Sequence, residues 1–196
     1  MRFEFTDQGD LNWCLGVEFS RSPDGKWLTL SQRKYCNEVL ERFGMTDVKA
    51  AKTPMDSHVK ISLADCPQTV NADLQRTYHA IVGSLLYLMP WTISFVVAIL
   101  TRFMHAPGDK HLQAAHRAVQ YLKGSIHKTI SYVSDSSLLS PLYPELNQLV
   151  AFSDADYAGC PDTAKSMTGY VVIMNGGQIA WKAGRQSSVM LSFRAA

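Results

Sequence analysis

Two aspartates one residue apart, Asp154 and Asp156 in FSDADYAGCP (152–161), are the first residues of this 196-residue chain to suggest chemistry. On an extended strand residues i and i+2 share a face, so both carboxylates can offer oxygens to a hard cation such as Mg²⁺. Aspartates beside Gly and Pro are more often turn formers. Two-metal phosphoryl chemistry also needs further carboxylates to hold the ions about 4 Å apart, and the only later acid is Asp162. As a metal site the pair is incomplete.

The remaining candidates are weaker. His111 and His116 lie five positions apart, about 140° around a helix, and so cannot share one face as a zinc-binding i, i+4 pair does. With His105 they read as solvated or capping histidines. Ser187 and Ser188 lack the glycines of a nucleophile elbow, and no Gly-rich phosphate loop occurs. Cysteines 14, 36, 66 and 160 form no CxxC pair, which fits a reducing compartment, cytoplasm or nucleus. The N-terminal residues include acids and no apolar stretch of signal-peptide length. Net charge is only +2, yet Lys165, Lys182, Arg185 and Arg194 follow Asp162 with no further acid, so the last third presents a basic surface.

These residues must be positioned by a chain that changes period twice. Residues 11–31 read as a hairpin, with LNWCLGVEF and WLTLSQ as strands around SRSPDGK. Ser31 is a plausible N-cap for a helix in which Tyr35, Val39, Leu40 and Phe43 recur at helical spacing until Gly44. An extended connector with two prolines follows. Asn71 can cap a helix through Met89, a second runs from Pro90 to about Met104, and a third from Asp109 stripes Leu112, Ala115, Val119 and Leu122 before Gly124. Strands are expected at 129–133, 148–153, 169–174 and 178–181, the last two joined by Asn-Gly-Gly. Residues 80–101 carry no charge and approach the length of a membrane span, although Pro90 divides them into two buried helices better than it fits one spanning helix.

In order along the chain, LGVEFSRSPDGKWLTLSQRKY (15–35), KTPM (52–55), VGSLLYL (82–88), RFMHAPGDKH (102–111), YLKGS (121–125), SDADYAGCPDTAKSMTGYVV (153–172) and RQSSV (185–189) resemble the polyprotein of copia-type long-terminal-repeat retrotransposons. The stretch matched is the end of the reverse transcriptase running into the start of the ribonuclease H domain. The resemblance implies a primer-grip-like hairpin at Trp13, Leu15, Gly16, Val17 and Glu18, and a thumb-like helix from Gln32 to Phe43 that follows nucleic acid, with Arg33 and Lys34 basic on it. Asp154 matches the first metal-binding aspartate of the ribonuclease H site, whereas the role of Asp156 stays open. The intact family uses Mg²⁺ and acts on primer–template or RNA–DNA hybrid; no small-molecule substrate is implied.

Three departures bear on activity. The family's Tyr-x-Asp-Asp motif lies upstream of the primer grip and is expected to precede residue 1. An Arg-Pro-Asp triplet is missing around Thr92-Ile93-Ser94, which lengthens the uncharged run, and Ala195 stands where the next family glutamate falls. The expectation is an α+β chain with a palm and thumb remnant at 1–70, a helical connection at 71–128 and a truncated ribonuclease H-like sheet of about three strands at 129–196. Such a chain is an inactive polyprotein fragment with no stably bound Mg²⁺. The alternatives are a weak, non-specific nucleic-acid-binding module and a small membrane protein anchored by residues 80–101.

Overall fold

A computed structural model describes residues 6–7, 9–56, 58–89, 91–143 and 145–189. The fold is α+β, with two antiparallel sheets and four α-helices among these residues. The first sheet has the order β1 (Trp13–Cys14), β2 (Val17–Arg21), β3 (Trp27–Ser31), β4 (Ile130–Val133). What reads in sequence as one strand, LNWCLGVEF, is therefore two. Leu15 and Gly16 have φ of 49° and 74°, the left-handed pair that closes a two-residue hairpin, and Trp13 pairs with Glu18 across it. The next turn does follow Pro-Asp-Gly, because Asp24 Oδ1 accepts from Ser22 Oγ and from the Lys26 N–H. The strand expected at 129–133 forms, but it pairs with β3, Trp27 opposite Val133 and Leu30 opposite Ile130, rather than with the later strands.

Helix α1 (Arg33–Arg42) starts one residue later than its apolar spacing suggests. Ser31 is not its cap: Gln32 holds the cap position and sends its side chain away from the helix, donating to Tyr87 O at 3.1 Å and accepting from Met89 N–H at 2.6 Å. The helix ends as expected at Gly44, with Gly44 N–H bonded to Glu41 O and Met45 N–H to Leu40 O. Helix α2 (Ala72–Leu86) is capped by Asn71, whose side chain accepts from Asp73 N–H and Leu74 N–H.

After α2 the chain turns through a short 3₁₀ segment into α3 (Ser94–Leu100), only 7 residues long. The proposed membrane anchor at 80–101 is thus no single helix, and no helix among the described residues is long and apolar enough to cross a membrane. Its apolar residues are spent on a core instead. Tyr78, Ile81, Val82 and Leu85 of α2 and Val96 and Leu100 of α3 are buried with Phe103 and with Ala115, Val119 and Leu122 of α4 (Asp109–Ser125). Val39 and Leu40 of α1 close the same core.

The second sheet is β5 (Val150–Ala155), β6 (Met167–Met174) and β7 (Gly177–Arg185) in that order. Phe152, Val171 and Trp181 align across it, as do Asp154, Gly169 and Ala183. The expected Asn-Gly turn joins β6 to β7, with Asn175 and Gly176 at φ of 50° and 86°. This turn docks the second sheet against the first: Val133 N–H donates to Asn175 O, and Tyr132 Oη donates to Gln178 O at 2.8 Å. A Cβ at position 177 would lie 2.5 Å from the Tyr132 ring, so only glycine admits this approach.

Candidate functional site

The hairpin presents its turn outward. Trp13 is 46% exposed and Leu15 79%, and Lys34 Nζ on α1 sits 5.2 Å from the centre of the Trp13 ring. Arg33 and Glu18 are also exposed, whereas Gly16 and Val17 are half-buried. Across the hairpin Cys14 pairs with Val17 next to the turn, and Trp13 with Glu18 one step out. An aromatic face with an ammonium beside it on a protruding turn can stack on a planar group while a cation meets a phosphate.

The carboxylate pair separates into two roles. Asp154 lies on β5 opposite Gly169 and forms part of the wall of a groove of about 750 Å³ lined also by Phe95, Phe152, Val171 and Trp181. Asp156 falls just beyond the strand, and its Oδ1 accepts from Met167 N–H at 2.6 Å. Its other oxygen fills the loop so closely that a Cβ on Gly159 would stand 1.9 Å away. Asp156 is a turn former. Asp162 is committed elsewhere, 2.6 Å from Arg102 Nη2 and accepting from Leu63 N–H at 2.8 Å. Among the described residues no group of three or more His, Cys, Asp or Glu side chains could hold a metal ion. Ala195 lies outside the described residues.

Sequence reasoning missed the cluster around Asp162. Its ion pair with Arg102 is nearly sealed, with side-chain exposures of 15% and 9%. The buried Cys160 thiol receives hydrogen bonds from Arg102 Nη2 at 3.0 Å and Thr163 Oγ1 at 3.1 Å, with Arg185 Nη1 at 3.8 Å. Burial raises the thiol's pKa, but the Thr163 and Arg185 side-chain donors together with the Asp162 and Thr163 backbone outweigh it and bring the value down to about 7. One signal for this cluster was available: Arg102 is the first charge after the uncharged run, and Asp162 is the last acid of the chain. The histidines needed the fold. His111 is capping, as its Nδ1 accepts from Gly108 N–H at 2.9 Å, but it is fully buried and stacks on Phe103.

The basic residues of the last third divide as well. Lys182 is exposed on the sheet face opposite Trp181, Lys165 Nζ donates to Ser187 O, and Arg185 turns toward Cys160.

Comparison with known proteins decides the family. The chain is 34% identical over 97% of its length to the retrovirus-related Pol polyprotein from transposon TNT 1-94 of Nicotiana tabacum, and 37% identical over 97% to that from transposon RE1 of Arabidopsis thaliana. This chain belongs to the copia-type retrotransposon Pol polyproteins. It spans 14% and 12% of the length of those two relatives. An uncharacterized mitochondrial protein of Arabidopsis thaliana is 32% identical over 97% of the chain and is covered to 74% of its own length. No family model and no solved structure matches.

Proposed function

We propose that this stretch of the Pol polyprotein corresponds to the end of the reverse transcriptase and the start of the ribonuclease H domain, and that it binds nucleic acid without cutting it. The observation that carries the reading is the exposed Trp13 with Lys34 Nζ 5.2 Å from its ring, on a turn where the family resemblance puts the primer grip. Arg33 and Lys34 on α1 then follow the backbone of a primer–template or RNA–DNA hybrid. The antiparallel sheet with Asp154 on its first strand agrees with a ribonuclease H-like start. No group of three or more potential ligands gathers at Asp154 among the described residues, and two-metal cleavage needs several carboxylates to hold the ions that activate the water and the leaving oxygen.

The test is fluorescence anisotropy of the chain with a primer–template duplex at two salt concentrations. Dissociation constants on the order of 10⁻⁴ to 10⁻⁶ M that weaken steeply with salt are expected, independent of sequence. Trp13→Ala should weaken binding further. Sequence-selective binding that survives high salt refutes the reading, as does Mg²⁺-dependent hybrid cleavage that disappears in Asp154→Asn.

A further inference from the structure

The outward turn is held from behind by a residue that neither sheet contains. Tyr87 follows α2, and its hydroxyl donates to the carbonyl oxygen of Leu15, 72 positions earlier. Its ring lies against the same turn, with Cε1 3.3 Å from where a Cβ on Gly16 would stand. Leu15 is a non-glycine residue with a φ of 49°, which a leucine does not favour by itself. β1 has only two residues and forms the sheet edge, so its own ladder gives the turn little support. A partner from outside the hairpin is what keeps this conformation populated.

Tyr87 is in turn fixed from two sides. The Tyr35 ring meets it edge-on, centroids 5.0 Å apart, while Tyr35 Oη donates to Ser84 O at 3.1 Å. The buried Gln32 side chain donates to Tyr87 O and accepts from Met89 N–H. The contacts form a continuous path from the end of α2, through the β3–α1 junction, to the tip of the hairpin.

We infer that Tyr87 is a positioning residue, which through its hydroxyl holds the Leu15-Gly16 turn in the conformation that presents Trp13 to nucleic acid. The inference rests on the reading of the turn as a nucleic-acid contact, and two measurements on the 196-residue chain separate the two. The first is hydrogen exchange of Tyr87→Phe without nucleic acid. Amides of residues 14–19 should exchange about fivefold faster, the contribution of one ordinary hydrogen bond, while amides of α4 and the melting temperature stay unchanged. The second is anisotropy with a primer–template of recessed 3′ end, where Tyr87→Phe should weaken binding about fivefold. Gly16→Ala, which crowds the same ring and strains the neighbouring φ of 74°, should move both readouts the same way, and the double variant should be no worse than the sum of the two.

Unchanged exchange at 14–19 in both variants overturns the clamp, whatever the binding result. A loosened turn with undiminished affinity overturns the link from clamp to binding. If the unsubstituted chain fails to bind the duplex, the proposed function falls, and the exchange arm alone decides whether Tyr87 holds the turn.

Discussion

The helices and the second sheet use similar side chains to different ends. In α2 and α4 the apolar residues recur every three or four positions, and Tyr78, Ile81, Val82, Ala115 and Val119 are all fully buried. In the sheet Phe152, Tyr170 and Ile179 remain 43–45% exposed. Phe152 shares a face with Val171 and Trp181, Tyr170 shares the opposite face with Lys182, and Ile179 is the extra residue where the β6–β7 register shifts. Four helices can close around a common core, whereas three strands with α3 packed against β7 leave both faces partly wet and, among the described residues, β5 paired on one side only. The difference lies in closure and not in apolar content.

The two regions meet at a bolt, and removing it should have the largest effect. Arg102 follows α3 and Asp162 lies in the loop before β6, so their 2.6 Å ion pair ties the sheet to the helices. Arg102→Ala leaves the Asp162 carboxylate nearly buried, with the Leu63 N–H as its remaining hydrogen-bond donor among the described residues, at a cost of about 3–5 kcal/mol. Denaturant titration measures the loss, and hydrogen exchange locates it: amides of 169–181 should lose protection well before those of 110–122. Equal loss in both segments would mean that the sheet and the helices form one cooperative unit and that the contrast between them is false.

A matched pair of truncations sharpens the comparison at smaller scale. Leu122, 1% exposed in α4, should cost about 2–5 kcal/mol as alanine because its neighbours cannot collapse into the space. Phe152, 43% exposed, should cost less than about 1 kcal/mol although it is the larger side chain. Comparable losses in thermal melts would show that Phe152 is covered in solution.

What was legible in the sequence follows the same division. The α4 stripe of Ala115, Val119 and Leu122 is periodic, and periodicity is local, so the helix and its buried face could be read directly. The Asn175-Gly176 turn was legible because only a left-handed pair closes it. Leu15-Gly16 makes a similar turn with a leucine in place of the usual Asn or Asp, and so passed as mid-strand. The pairing of β4 with β3 spans about a hundred residues and leaves no local trace. Arg102 and Asp162 are 60 positions apart, and although the uncharged run singles out Arg102, nothing local shows that Asp162 meets it. At the candidate site the pattern repeats: Asp154 and Asp156 could be found, but which of them was consumed by a loop depended on Met167 N–H arriving from the next strand.

The smallest expected effect is a pH dependence seated in the helices. Nδ1 of His111 accepts from Gly108 N–H, and Nε2 faces Ser62 O at 3.1 Å, so the ring is neutral with its proton on Nε2. Burial depresses its pKa below the ordinary 6.5 against the opposing pull of the Ser62 carbonyl, Asp65 and Asp162, with Lys110 adding to the depression. Burial depresses His116 as well. A histidine whose folded pKa is lowered contributes nothing above its unfolded value. As pH falls below about 6.5 the unfolded chain takes up protons that the folded chain refuses, and stability declines by at most about 1.4 kcal/mol per pH unit for each such ring, until the folded pKa is reached. The lowered carboxylate of Asp65 acts only at more acid pH, below its ordinary 3.8. His111→Asn keeps an acceptor for Gly108 N–H and cannot protonate, so its stability should fall less between pH 7.5 and 5.5 than that of the unsubstituted chain, with His116 and the Cys160 thiol, which is lowered to about 7 and regains its proton in this range, supplying the residual slope. Urea titrations at the two pH values measure this difference, and identical slopes for the two proteins would show that His111 takes up its proton as readily in the fold as outside it.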